Sequence, residues 1–347
     1  MRRCIQLAKN GLGTTYPNPL VGSIIVYENK IIGEGWHRQS GMPHAEVNAI
    51  DSVKNKQVLR NATIYINLEP CSHTGKTPPC ANLIIEKQIK NVVIGCKDPN
   101  PKVAGNGIKL LKKSGLKVTY GILEKECEHL NKRFFSFFLK KRPYIILKWA
   151  ETLDGFISPN EKKEKKPVWI SNKNSRQLVH QWRAEEQAIL VGTQTIVEDN
   201  PSLNTRDWYG NSPICILIDK SLRISKDCEV YRNNSKTIVI TEKKSKDKKN
   251  EFFEFINFDS PIANQIATIL YSHKIQSVII EGGAQTLQTF IDENLWDEAR
   301  VFSGPTTFNN GTKAPIVSGT TLTTTKIKQD ILNLIINALI PNFFISV

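Results

Sequence analysis

His44-Ala45-Glu46-Val47, followed by Leu68-Glu69-Pro70-Cys71-Ser72-His73-Thr74-Gly75-Lys76-Thr77-Pro78-Pro79-Cys80, is the pattern that decides how this chain is read. One imidazole and two thiolates supply three ligands for a tetrahedral zinc ion and leave the fourth position to water. That is the arrangement of a catalytic site, because structural zinc fills all four positions with protein. Bound zinc lowers the pKa of its water to about 7, making hydroxide available at neutral pH. Glu46 follows the ligand histidine at the start of the same predicted helix. From there its carboxylate can reach the water without ligating the metal and move protons to the substrate and leaving group. Cys80 opens a predicted helix, whose dipole and free N–H groups favour a thiolate. The competing reading, a closed site with His73 as fourth ligand, leaves Glu46 without a task.

Working outward, the flanking segments alternate strand and helix signals. Met1 to Leu12 reads as an amphipathic helix. Ser23–Tyr27 and Ile31–Trp36 are apolar runs joined by the polar turn Glu28-Asn29-Lys30, a predicted hairpin. His44 to Val53 has helical spacing, Thr63–Leu68 alternates as a strand, Pro79–Lys87 reads as a helix and Val92–Cys96 as a buried strand. A helix (Gly107–Lys113) and a strand (Leu116–Tyr120) complete an α/β layered domain. The segment 131–143, NKRFFSFFLKKRP, interleaves aromatic and basic residues. That pattern fits a single-strand nucleic-acid surface, or a helix packing at a domain end before a linker, which we favour. A strand restarts at Tyr144–Trp149 and a second α/β alternation follows, giving domains at 1–143 and 144–347.

The whole chain bears out this scale. Its 347 residues suit two domains, and 40% hydrophobic with 23% charged residues is an ordinary globular composition. No apolar run is long enough for a transmembrane helix, and the basic start, Met1-Arg2-Arg3, lacks a signal-peptide core, so a cytoplasmic protein is expected. The seven cysteines are scattered; only Cys71 and Cys80 keep company with other metal-ligand types, and the rest read as small buried hydrophobes. The net charge of +14 is spread out, with local runs at 161–166 and 243–249. No clustered basic motif accompanies it, so an anionic small molecule is the expected partner rather than nucleic acid.

His-x-Glu with a later Pro-Cys and second Cys is the signature of zinc deaminases, although that signature spaces its cysteines more closely. The longer loop here, with Thr15-Tyr16-Pro17-Asn18-Pro19-Leu20-Val21-Gly22, Asp98-Pro99-Asn100-Pro101 and Val103-Ala104-Gly105-Asn106-Gly107, resembles the bifunctional riboflavin-biosynthesis deaminase/reductases. The resemblance runs over essentially the whole chain. It implies a cytidine-deaminase-like three-layer domain followed by a dihydrofolate-reductase-like α/β domain. For the first it implies zinc-dependent deamination of 2,5-diamino-6-ribosylamino-4(3H)-pyrimidinone 5′-phosphate, with His44, Cys71 and Cys80 as ligands, Glu46 as catalytic acid/base and Asn18 on the substrate. Asn18 reads equally well as a plain turn former.

In the second half the resemblance is carried by Lys148-Trp149-Ala150-Glu151-Thr152-Leu153-Asp154-Gly155, Trp169-Ile170-Ser171, Val191-Gly192-Thr193-Gln194-Thr195 and Glu198-Asp199-Asn200-Pro201-Ser202-Leu203-Asn204-Thr205-Arg206. Val278-Ile279-Ile280-Glu281-Gly282-Gly283-Ala284-Gln285-Thr286-Leu287 completes it. It implies NADPH-dependent reduction of the ribosyl group. Ala150, Trp169, Thr195, Asp199, Lys220, Gly283, Ala284, Gln285, Thr286 and Leu287 would contact NADPH. Pro167, Arg183, Leu203, Arg206 and Glu281 would lie along the substrate. Pro167 and Lys220 stand where small polar residues are expected. Chemistry agrees in part: Glu281-Gly282-Gly283 ends a β-branched strand and opens a helix, which can hold a phosphate, and arginine suits a substrate phosphate. The family commonly self-associates, so a homo-oligomer is expected. Two other readings stay open. One is a nucleic-acid deaminase of the tRNA-editing type with an inactive second domain; the other is a zinc-stabilised binding protein with a dead site.

Overall fold

A computed structural model describes residues 1–72, 78–101, 103–161, 167–232 and 236–339. The chain divides after Lys140 into two compact units. The first contains α1 (Arg2–Lys9), β1 (Gly22–Tyr27), β2 (Lys30–Trp36), α2 (Ala45–Ser52), β3 (Thr63–Leu68) and α3 (Cys80–Glu86). It continues with β4 (Asn91–Cys96), α4 (Asn106–Lys113), β5 (Lys117–Tyr120), α5 (Glu124–Leu130) and α6 (Lys132–Lys140). Its sheet has the order β2-β1-β3-β4-β5. The β1/β2 hairpin is antiparallel and turns through Glu28 and Asn29, both at positive φ, while β3, β4 and β5 are parallel. Helices cover both faces. Ile25, Ile64, Ile66 and Ile94 pack with Ile50, Ile84 and Leu111, whereas Leu68 and Cys96 pack with Cys127, Phe134 and Phe135. The aromatic-basic segment is thus a packing helix: α6 buries Phe134 and Phe135.

The second unit opens with β6 (Tyr144–Glu151), β7 (Phe156–Pro159), α7 (Lys173–Glu185), β8 (Ala188–Gly192), α8 (Thr193–Asp199), β9 (Ile214–Ile218) and α9 (Glu229–Arg232). Next come β10 (Thr237–Thr241), β11 (Glu251–Phe255), α10 (Ile262–Ser272), β12 (Ser277–Ile280) and α11 (Ala284–Asp292). Four strands close it, β13 (Glu298–Ser303), β14 (Gly311–Lys313), β15 (Thr320–Ile327) and β16 (Asp330–Ile336). The main sheet runs β11-β10-β9-β8-β12-β6-β13-β16-β15, parallel as far as β13 and antiparallel beyond. Parallel strands buried on both faces read as continuous apolar runs, and these divide their residues accordingly. Leu190, Ile216, Ile238 and Ile280 enter one core, while Ile189, Leu217 and Val239 enter another on the opposite face. Asn172 starts α7 by accepting from the N–H groups of Asn174 and Ser175, a side-chain cap of the usual kind.

Candidate active sites

In the first unit His44 is the residue before α2, and Cys80 is the first residue of α3. Cys71 lies in the segment leaving β3. Their donor atoms all fall within 4.8 Å of one another. His44 Nδ1 is 3.3 Å from Cys80 Sγ and 3.7 Å from Cys71 Sγ. Zinc–sulfur bonds near 2.3 Å and zinc–nitrogen bonds near 2.0 Å put neighbouring donors of a tetrahedron about 3.5–3.8 Å apart, so this donor set fits zinc. Electrostatics agree with the chemistry. The Cys71 thiol, hydrogen-bonded to Cys80 and His44, is held down at about 4, whereas Cys80 is pushed well up by Cys71 and burial. The Cys80 N–H also points at Cys71 Sγ, 3.3 Å away. Glu46 is 3% exposed, and burial first, then Cys71, raises its carboxyl. His73, the alternative fourth ligand, lies outside the described residues.

Asn18 is beside this centre through a histidine that sequence reasoning missed. Asn18 Nδ2 is 3.0 Å from His37 Nε2, His37 Nδ1 is 3.2 Å from the Pro43 carbonyl, and the His37 ring meets His44 edge-on at 5.3 Å. A Nδ1–H donated to Pro43 leaves Nε2 to accept from the Asn18 amide. Two buried asparagines hold the Asn18 loop. Asn131 Oδ1 accepts from Leu20 N–H at 2.8 Å, and its amide donates to Leu20 O at 2.9 Å. Asn67 accepts from Gly22 N–H at 2.7 Å and donates to Leu20 O at 3.0 Å.

In the second unit the expected residues gather at the carboxyl ends of β6, β8, β9 and β12, where ligands of open α/β sheets bind. A Cβ on Gly282 would sit 2.5 Å from Val191 Cα, Gly283 has φ +46°, and a Cβ there would meet Thr195 Oγ1 at 3.3 Å. The turn into α11 therefore lies flush on β8, bringing Thr195, Gly283 and Thr286 to one place. Arg183 and Glu281 form a two-pronged pair at 3.2 and 2.7 Å, and Arg183 also reaches Asn204 O at 3.3 Å. Lys148, another residue the sequence reading passed over, lies beside them. Burial lowers its pKa and Glu281 opposes that. Burial raises the Glu281 carboxyl, but Arg183 and Lys148 outweigh it and hold the group at about 2. Arg206 is exposed, with its N–H on His180 Nδ1 at 3.3 Å.

Other expected contacts are of different kinds. Leu203 and Leu287, 2% and 1% exposed, bury their side chains in the core and leave only backbone for a ligand. Trp169 is exposed, with the Arg176 guanidinium 4.2 Å from its ring centre. Lys220 pairs with Glu242 at 3.6 Å. Ala150 is the last residue but one of β6 and half-buried; Pro167, Ala284 and Gln285 are half-buried or exposed, and Asp199 closes α8.

Two family models match the chain: the cytidine and deoxycytidylate deaminase zinc-binding region over residues 1–96, and the RibD C-terminal domain over residues 143–339. The riboflavin biosynthesis protein RibD of Aquifex aeolicus is 38% identical over 90% of this chain and 87% of its own. The chain belongs to the RibD family. RibD of Escherichia coli is 32% identical over 88% of this chain and 86% of its own. The crystal structure of a diaminohydroxyphosphoribosylaminopyrimidine deaminase/5-amino-6-(5-phosphoribosylamino)uracil reductase from Thermotoga maritima superposes with a TM-score of 0.88. It is 36% identical, covering 97% of both chains. Like other RibD proteins, this one is a bifunctional enzyme of riboflavin biosynthesis, a zinc-dependent deaminase joined to an NADPH-dependent reductase. With both halves present, the reading as a nucleic-acid deaminase with an inactive second domain falls away. Its substrate is a small pyrimidine phosphate. Among the described residues no helix is long and apolar enough to cross a membrane.

Proposed function

We propose that residues 1–143 deaminate 2,5-diamino-6-ribosylamino-4(3H)-pyrimidinone 5′-phosphate and that residues 144–347 reduce the ribosyl group of the product to give 5-amino-6-ribitylaminouracil 5′-phosphate. The observation that carries the first step is the His44, Cys71 and Cys80 donor set with Glu46 buried beside it. Those three residues would hold the metal, which when bound supplies Lewis-acid activation of a water molecule. Glu46 takes a proton from the attacking water and delivers it to the pyrimidine ring, then takes the remaining hydroxyl proton of the adduct and delivers it to the departing amine; burial raises its pKa, which favours the protonated, donating form. Asn18, whose amide donates to His37, would accept from the substrate.

For the second step, NADPH when bound supplies the hydride for the ribosyl C1 carbon. The turn at Gly283, Ala284, Gln285, Thr286 and Leu287, with Thr195, would hold the cofactor through backbone N–H groups, and Ala150, Trp169, Asp199 and Lys220 would flank it. Arg183, Lys148 and Glu281 together leave one net positive charge, which with Arg206 suits a phosphorylated substrate; Pro167 and Leu203 would line its path. The enzyme works in the cytoplasm and self-associates as a homo-oligomer. The test is to supply purified protein with the diaminopyrimidinone ribosyl phosphate and follow ammonia and NADPH together. Chelation of zinc should stop ammonia release yet leave NADPH oxidation on supplied deaminated intermediate intact. Loss of both on chelation would refute two independent sites.

A further inference from the structure

We propose that Glu69 is a positioning residue of the metal centre, fixing the Cys71 ligand by tying its peptide segment to the start of α4. Glu69 is 3% exposed and faces three backbone donors. Its Oε2 accepts from Asp98 N–H at 3.3 Å and Gly105 N–H at 2.9 Å, and its Oε1 from Ile108 N–H at 3.1 Å. Helix α4 has no capping side chain of its own and no acidic residue in its first turn. Glu69 serves as its cap from the end of β3, where a carboxylate complements orphan N–H groups and the helix dipole. The close approach continues at the next residue, because a Cβ on Gly107 would collide with the Pro70 carbonyl oxygen. The motif from Asp98 to Gly107 thus wraps the residues that precede Cys71.

Cys71 needs such a fixture. Cys80 and His44 are carried by helices, whereas Cys71 lies in an irregular segment. Its carbonyl accepts from Ala81 N–H at 3.1 Å, which ties it to α3 on one side. Glu69, whose own N–H donates to Cys96 O at 3.0 Å, ties it to β4 and α4 on the other. Outer partners that orient ligands change metal affinity by about 10- to 100-fold when altered.

The inference rests on the assignment of zinc to His44, Cys71 and Cys80, and the test separates the two. Full-length zinc-loaded enzyme is mixed with a chromogenic pyridylazo chelator and zinc release is timed. Cobalt-substituted protein is examined for its thiolate charge-transfer band. Glu69→Gln, which sets an amide N–H₂ against backbone donors, should release zinc about 10- to 100-fold faster and shift the cobalt band. Gly107→Ala, whose methyl would collide with the Pro70 carbonyl oxygen and come within 3.2 Å of Glu69 Oε1, keeps the carboxylate's charge, should act in the same direction and covers the case in which Glu69→Gln does not fold. Reductase activity on supplied intermediate should be unchanged in both. Wild-type release rates and an unshifted band, even with a lowered melting temperature, would overturn the proposal and leave Glu69 a plain helix cap. Wild-type protein that binds no zinc would overturn the metal assignment itself, and this inference with it.

Discussion

Replacing Arg183 by methionine removes the main partner of a carboxylate that the fold has taken out of water. Glu281 titrates at about 2 against an ordinary 4.5, and its side chain is 8% exposed. At about 1.4 kcal/mol per pH unit, that difference corresponds to about 3 kcal/mol. The lowered pKa means that this stability is fully present above 4.5 and disappears as pH falls from there through 2. Arg183→Met should therefore destabilise the second unit by about 3 kcal/mol at pH 7, in line with other broken buried pairs. It should also flatten the acid limb between pH 4.5 and 2. Lys148 remains near Glu281, so part of the effect persists. Because two units need not unfold together, the measurement is hydrogen exchange by mass spectrometry on peptides covering α7 and β12 during urea titration. The double variant Arg183→Met/Glu281→Gln should recover part of the loss, since the carboxylate no longer lacks its guanidinium, although Lys148 then loses its counter-charge. An unchanged midpoint at pH 7, or an acid limb as steep as in the wild type, would refute the reasoning.

Glu46→Gln should lower ammonia release by about 10²- to 10⁴-fold, the usual worth of a general acid/base, while zinc content by elemental analysis stays at the wild-type level. In Gly282→Ala the new methyl meets Val191 Cα at 2.5 Å and Gly192 N at 2.6 Å. Titration of NADPH should show weaker binding, with a stability cost of about 1–3 kcal/mol. Asn131→Ala removes both of its own hydrogen bonds to Leu20 and leaves the buried Leu20 N–H unpaired, at about 1–3 kcal/mol, while Asn67 still donates to Leu20 O. It should raise KM for deamination more than it lowers kcat, and zinc content should not change.

The metal ligands were legible because they come in two short motifs whose residue types have few other joint uses, and because helix starts at His44 and Cys80 can be read locally. Apolar runs marked some of the parallel strands in a similar way: Ile145–Leu147 and Val278–Ile280 are apolar throughout, as burial on two faces requires. What escaped was set by tertiary contact. Nothing near His37 announces that it will meet Asn18, and Lys148 sits in a strand where its neighbours say nothing of Glu281. Asn131 was passed over inside an aromatic-basic run whose visible feature was its phenylalanines. Motif matching at Leu203 and Leu287 could not tell that both side chains are buried in the core.

The Asn131 clamp has a consequence for synthesis of the protein. All three metal ligands and strands β1 to β4 have emerged once residue 96 is made, and the matched zinc-binding region ends there. The loop bearing Asn18 is then held by Asn67 alone, because the side-chain oxygen that accepts from Leu20 N–H lies 111 residues downstream of Leu20. A nascent chain can present its three metal ligands before the grip on the Asn18 loop is complete, so full affinity for the pyrimidine should wait for Asn131. An excised fragment that stops short of Asn131 should for the same reason deaminate with a raised KM.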